Sequence, residues 1–429
     1  MTSSSELAER YRAVLPSFVS PMYAEPLSID HGDGGYVVDL EGNRFLDFFG
    51  GVLTTAIGHA NPEVVAAVQA QAAKVMHTST LYLSEPMIEL AEEIAAVSGI
   101  PDARVFFTAS GTQANDTAIL LATSYRRSNQ VLAMRNSYHG RSFTAQAITS
   151  HSGWSSTSLS GLTVNFVQGG YRLRSPFRTL DDTGYTEACV DDLQQVLDMM
   201  TAGDVACLIA EPIQGVGGFA TPPDGFFASI GKVLDNHGIL FISDEVQTGW
   251  GRTGDHFWGY QAHDVEPDML TFAKGVGNGV SLAGIVARAE IMDTIKVKSF
   301  STFGGNPLSA AGGLATLRHV LANDLQGNAR RMGERLAAGL APVVDRTPWI
   351  AELRGRGLMR AIELVHPDTT EPDAGRAGAV LEACRTEGLL VGRGGLYGNC
   401  LRIAPMLNVS ESEIDEGVAA LTAAVSATS

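Results

Sequence analysis

The chain has 429 residues, 45% of them hydrophobic, enough apolar material for two domains or for one large domain with a smaller satellite. Its net charge of −17 repels phosphate backbones, and no Lys/Arg cluster opposes that field, so nucleic acid is not an expected partner.

The opening MTSSSELAERYRAVLP has neither a basic n-region nor an apolar h-region, so no secretory signal is expected. Glu6 and Glu9 speak more weakly against an organelle transit peptide. Residues 28–48, SIDHGDGGYVVDLEGNRFLDF, alternate in the manner of strands and hairpin turns. Asn61-Pro62 opens a helix, Asn as N-cap and Pro at the first helical position, with Val64, Val65, Val68, Ala72 and Val75 marking its apolar face. From about residue 104, the runs RVFFT, VLAM, TVNFV, ACLIA, GILFIS, MLTF and AGIVA alternate with helical stretches, which predicts a mostly parallel, doubly wound α/β sheet. Beyond about residue 320, helices near 326–342 and 375–388 enclose LRGRGLMRAIEL, and LLVGRGG and CLRIAPML follow as short strands. These form a separate α+β unit, expected to pack with the N-terminal segment. The expected division is 1–60 with the small unit, 61–322 as the large domain and 323–429 as the small one.

Charged residues are only 18%, below the ~25% of an average chain, which suits an oligomer that hides part of its surface. Cys189, Cys207, Cys384 and Cys400 are far apart and show no CxxC spacing, as expected of free thiols in a reducing compartment. No apolar run approaches the roughly 20 residues that span a bilayer. A soluble, cytoplasmic protein is expected, with no membrane partner.

Two residues carry most of the chemistry. Asp244, in GILFISDEVQTGWGRTG, and Lys274, in DMLTFAKGVGNG, each close an apolar strand. In a parallel α/β sheet, groups just past the strands' carboxyl ends face the ligand crevice. An acid and an amine at one rim are what a pyridoxal phosphate enzyme needs: the amine condenses with the aldehyde, and the acid keeps the pyridine nitrogen protonated. A carboxylate about 4 Å from that cation contributes on the order of 4 kcal/mol at an effective dielectric of 20. Taken alone, Lys274 reads as a solvated strand cap and Asp244 as an N-cap; their pairing favours the cofactor. Gln247 is in reach of the phenolic oxygen, whereas Glu245 has no assignable role.

Other segments complete a candidate pocket. RVFFTASGTQANDTAILLATSYRR reads as strand, turn and helix, so Ser110, Gly111 and Thr112 form either a phosphate cradle or an ordinary capped helix start. In Tyr138-His139-Gly140-Arg141, the tyrosine fits a lid over a planar ring or a core position. Tyr138 and His139 are placed among the cofactor contacts, and Arg141 fits a substrate carboxylate or a structural ion pair. Thr302, in the polar loop FSTFGGNP, suits another phosphate contact. Arg402 lies within the apolar run LRIAPML, and a buried guanidinium calls for an anion, either a neighbouring acid or a substrate carboxylate. GFFASIGK is not a P-loop, no GxGxxG follows a strand, and no HExxH suggests zinc, so no metal is expected.

These segments together resemble the class III, or ω-amino-acid, aminotransferases of the fold-type I pyridoxal phosphate enzymes. The likeness runs from about residue 28 to 410, through DGGYVVDLEGNRFLDFFGG, GHANPEV, SGTQAN, YHGR, AEPIQG, DEVQTGWGRTG, AKGVGNG, STFGGNP and LRIAP. It implies a mostly parallel seven-stranded sheet flanked by helices, plus a smaller α+β domain built from both termini. It also implies Lys274 as the cofactor lysine, Asp244 at the pyridinium, Gln247 at the phenolic oxygen and Tyr138 over the ring. Ser110, Gly111 and Thr112 would hold phosphate, joined by Thr302 from the other subunit of a homodimer. HFWGYQAHDVEPD and GLLVGRGG are most similar to the alanine–glyoxylate aminotransferase 2 branch. One departure matters: relatives using ornithine or γ-aminobutyrate carry a glutamate that neutralises the substrate-binding arginine, and here Val216 stands there. Arg402 is therefore expected to stay free for short amino and oxo acids: alanine or β-amino acids, pyruvate or glyoxylate. The same residues also suit a lyase acting on an amino-alcohol phosphate, or an aminomutase.

Overall fold

The structure is a computed structural model that describes residues 3–428. Its centre is a seven-stranded sheet, running from edge to edge Ala103–Thr108, Ala283–Arg288, Met269–Phe272, Leu240–Asp244, Cys207–Ala210, Gln130–Met134 and Thr163–Val167. Six strands are mutually parallel; Ala283–Arg288 runs antiparallel to both its neighbours. Four inner strands are buried at every residue, which explains why they read as unbroken apolar runs. Successive residues still divide between the faces. Leu132, Leu208 and Phe241 pack on Tyr185, Phe226 and Ile230 of the helices Asp182–Met200 and Phe226–His237. Val131, Ile209 and Ile242 pack on Ile119 and Leu121 of the helix Gly111–Arg126.

Two four-stranded sheets lie outside this layer. Ile29–Asp33, Tyr36–Asp39 and Arg44–Asp47 form an antiparallel meander, extended in parallel by Leu389–Leu390 from near the far end of the chain. Ile350–Arg356, Met359–Leu364, Cys400–Ile403 and Gly392–Gly394 form the other, wholly antiparallel. One core joins Leu46, Phe48 and Val64 to Leu336, Ile362, Val380, Leu401 and Leu421, so residues near both ends of the chain share apolar packing.

The expected helices appear as Pro62–Ala72, Leu325–Asp345 and Ala374–Thr386, the first capped by the Asn61 side chain on the amides of Glu63 and Val64. Its apolar face is narrower than the sequence suggests. Val64 is buried, but Val65 is exposed, and Val75 lies beyond the helix and is exposed too. No helix among the described residues is long and apolar enough to cross a membrane. All four cysteines are buried and unpaired.

Candidate active site

Five parallel strands end at one rim, and each delivers a polar residue there. Ser110 follows Ala103–Thr108, Tyr138 follows Gln130–Met134, Glu211 follows Cys207–Ala210, Asp244 ends Leu240–Asp244, and Lys274 follows Met269–Phe272. All five line one cavity of about 350 Å³, with Gly111, Thr112, Asn115, His139 and Gln247. The rim is where a doubly wound sheet binds ligands.

Lys274 is partly buried, opening into the cavity; Lys74, Lys232, Lys296 and Lys298 are all exposed. Its backbone is left-handed (φ +50°), a conformation that costs a non-glycine residue roughly 1–2 kcal/mol and is found at functional sites. Burial draws the ammonium pKa below its ordinary value; Asp244 and Glu211 oppose this and Arg402 adds to it. The neutral, nucleophilic amine is thereby more accessible.

Asp244 is 3% exposed and firmly held. Its Oδ2 accepts from Asn115 Nδ2 at 2.8 Å and lies 2.7 Å from His139 Nδ1, while Oδ1 accepts from the Val246 amide at 3.1 Å. Thr271 Oγ1 donates to Asn115 Oδ1 at 2.7 Å, which fixes the orientation of that amide. Glu211 is buried too. It accepts from the amides of Tyr138 at 3.0 Å and Gly215 at 2.7 Å, and no cation pairs with it among the described residues. Burial lifts its carboxyl to about 7; His139 lowers it, Asp244 raises it, and the two amides lower it.

At the other end of the cavity, Ser110 caps the 16-residue helix Gly111–Arg126 by accepting from the Gln113 amide at 3.3 Å. Thr112 Oγ1 accepts from the Arg141 amide at 3.3 Å, across Gly140. A Cβ at Gly140 would stand 2.4 Å from Thr112 Oγ1, and the residue sits at φ +135°, so only glycine permits this approach. Gln247 packs flat on Gly215, where a Cβ would come within 2.0 Å of its Nε2, and its buried Oε1 has no protein partner. The free amides of a helix start suit a phosphate dianion, the anchored Asp244 a pyridinium, and Lys274 an aldehyde.

Three other residues of interest do not line this cavity within the single chain. Arg402 is buried beside the cavity rather than lining it. Its NH1 donates to Gly215 O at 3.4 Å and NH2 to Arg393 O at 3.0 Å, its Nε is unpartnered, and Phe49 lies 5.0 Å from the guanidinium carbon. No carboxylate among the described residues pairs with it, and burial brings its pKa down to about 10. Arg141 is exposed, its guanidinium near the Phe18 ring, so the structure does not bring it into the cavity. Thr302 is likewise exposed and away from it.

The buried Glu245 now has an explanation. It accepts from Ser243 Oγ and the amides of Gly259 and Tyr260, pinning the loop after Asp244. Sequence reasoning missed Glu211 and Asn115 as site residues. Asn115 sits four residues after Gly111 on the helix face that meets the sheet, and a lone amide in that apolar stripe was the available signal.

The rim thus presents the groups that a pyridoxal phosphate enzyme requires. Residues 19–425 match the family described as aminotransferase class III. Human mitochondrial alanine–glyoxylate aminotransferase 2 is 34% identical over 96% of this chain and 85% of its own length. Among solved structures, a pyridoxal-phosphate-bound amine transaminase from an uncultivated Pseudomonas species superimposes with a TM-score of 0.91, at 31% identity over 97% of this chain and 98% of that one. A phospholyase from Arthrobacter in complex with phosphoethanolamine gives a TM-score of 0.90, at 30% identity over 98% and 99%. The chain belongs to the class III aminotransferases, enzymes that depend on pyridoxal phosphate.

Proposed function

We propose that this enzyme moves an amino group between a short amino acid, such as alanine or β-alanine, and a 2-oxo acid, pyruvate or glyoxylate, in two alternating half-reactions. The observation that carries this is Arg402, a buried guanidinium whose hydrogen-bond partners are the carbonyls of Gly215 and Arg393; next to Gly215, Val216 stands where the family resemblance implies a neutralising glutamate. A desolvated cation without a counter-ion favours any substrate that brings a carboxylate, and both half-reactions then use the same grip.

The bound cofactor supplies an aldehyde that accepts the amino group and a ring that takes up the electron pair of the breaking C–H bond. Asp244 would keep the ring nitrogen protonated, and Tyr138, which lines the same cavity, would shield the ring from water. Gln247 would donate its side-chain amide to the phenolic oxygen. Gly111 and Thr112 would offer amides, and Ser110 and Thr112 hydroxyls, to the phosphate. Lys274 would hold the cofactor through its aldehyde and, once freed, its amine would carry the proton taken from the amine-bearing carbon of the substrate.

The reading includes a homodimer in which Thr302 of one subunit completes the phosphate site of the other. Its support is the exposure of Thr302 together with Leu81, Tyr82, Leu83, Phe300 and Phe303, apolar surface that water alone does not favour. Four buried, unpaired cysteines support a reducing compartment, the cytoplasm.

A phospholyase is the second reading, favoured by the likeness to the Arthrobacter enzyme. Adding single amino acids to the yellow holoenzyme, with no oxo acid present, separates the two. Conversion to the amine form of the cofactor by alanine supports the transaminase. Release of inorganic phosphate from phosphoethanolamine, with no such conversion, would establish the lyase.

A further inference from the structure

Beyond the cofactor site lies a buried ionic cluster that the reaction does not use. Glu363, on the strand Met359–Leu364, is fully buried. It accepts from Tyr171 Oη at 2.7 Å, Arg174 Nε at 2.9 Å and Asn399 Nδ2 at 3.1 Å, and it pairs with Arg354. Burial by itself would raise its carboxyl, but Arg354 and Arg174 bring it below the ordinary carboxylate value. Arg354 in turn donates from Nε to Gly218 O at 2.8 Å and from NH2 towards Cys400 Sγ at 3.1 Å.

Both ends of that reach lead to Arg402. Gly218 closes the loop 215–218, whose Gly215 carbonyl accepts from Arg402, and Cys400 opens the strand Cys400–Ile403 that carries Arg402. The two surfaces touch: a Cβ at Gly218 would lie 2.7 Å from Cys400 Sγ and 2.9 Å from Arg354 NH2. The Gly395 amide, donating to Val216 O at 2.9 Å, joins the same loop to the segment whose Arg393 carbonyl is the second acceptor for Arg402. Among the described residues Arg402 has no carboxylate to fix its direction, so its direction depends on these two carbonyls.

We infer that Arg354 and Glu363 are positioning residues for carboxylate recognition: they clamp the loop 215–218 onto the strand Cys400–Ile403 and so aim Arg402. This rests on the reading of Arg402 as the carboxylate site. It adds that selectivity is set by a cluster that touches neither substrate nor cofactor.

The test uses the holoenzyme with propionate, a carboxylate lacking an amine, as the probe, and pyridoxal phosphate affinity as the control. Arg354→Lys keeps the charge but cannot reach Gly218, Cys400 and Glu363 together. It is expected to weaken propionate at least tenfold while cofactor affinity and absorbance stay within twofold. Propionate binding that does not change, or that falls in step with cofactor affinity, overturns the inference. If Arg354→Lys does not fold, Tyr171→Phe removes one uncharged donor from Glu363. It is expected to weaken propionate about threefold with the cofactor unaffected, and no change there also overturns the inference. Arg402→Ala separates the two ideas. If it weakens propionate and Arg354→Lys does not, positioning alone falls. If it leaves propionate unchanged, or the unaltered holoenzyme does not bind propionate, the carboxylate reading falls as well.

Discussion

His139 Nδ1 lies 2.7 Å from Asp244 Oδ2, and the other nitrogen of that buried ring has no partner among the described residues. With Asn115 donating to the same oxygen and the Val246 amide to the other, the carboxylate is held at both oxygens and presents its charge to a cation in the cavity. Asp244→Asn preserves the shape and removes the charge. At an effective dielectric of 20, a contact near 4 Å is worth on the order of 4 kcal/mol, so kcat is expected to fall about a thousandfold. Stopped-flow measurement of the alanine half-reaction checks this; a loss below tenfold would remove Asp244 from the ring nitrogen.

Arg402→Ala takes away a desolvated cation whose partner arrives with the substrate. The expected loss is about 2–5 kcal/mol, seen as a raised KM for alanine and pyruvate with the cofactor spectrum unchanged. Steady-state kinetics with each substrate varied in turn measures it. An unaltered KM would place the carboxylate elsewhere.

Glu211 gives the apoprotein a pH signature. Its carboxyl is raised from 4.5 to about 7 by burial, so the folded chain holds this proton more tightly than the unfolded chain does. Stability from this group is full below about 4.5 and is lost as pH rises through about 7. Glu211→Gln stays neutral and keeps it. The variant is therefore expected to gain on the wild type between pH 5 and pH 8.5, by at most about 3 kcal/mol. Urea midpoints of the two apoproteins at both pH values provide the comparison; the same offset at both would refute a proton on Glu211.

Gly140→Ala forces a side chain into φ +135° and against Thr112. Pyridoxal phosphate affinity is expected to drop at least tenfold, because Thr112 is pushed off the helix start. Cofactor titration followed by absorbance tests it, and affinity within twofold of wild type would show that Thr112 does not hold the phosphate.

Much of this architecture is legible in the residues themselves. The apolar runs at 131–134, 206–210 and 269–272 are strands because nothing else buries so short a stretch on both faces. Asp244, at the end of the adjoining strand Leu240–Asp244, and Lys274, just after 269–272, stand out as charges against them. The antiparallel strand Ala283–Arg288 has the same pattern as its parallel neighbours, so direction could not be read from composition. Glu211 was hidden for a different reason. A glutamate after a strand is usually solvated; here it is buried and held by the amides of Tyr138 and Gly215. Val65 and Val75 were misread because helical spacing records a face and not what covers it.

The central claim is that Lys274 carries the cofactor. Borohydride treatment of the yellow holoenzyme, followed by proteolysis and mass spectrometry, locates the reduced attachment. A pyridoxyl phosphate group on the peptide containing Lys274, and on none containing Lys74, Lys232, Lys296 or Lys298, is the expected result. Attachment to any of those exposed lysines, or to no lysine, would contradict it.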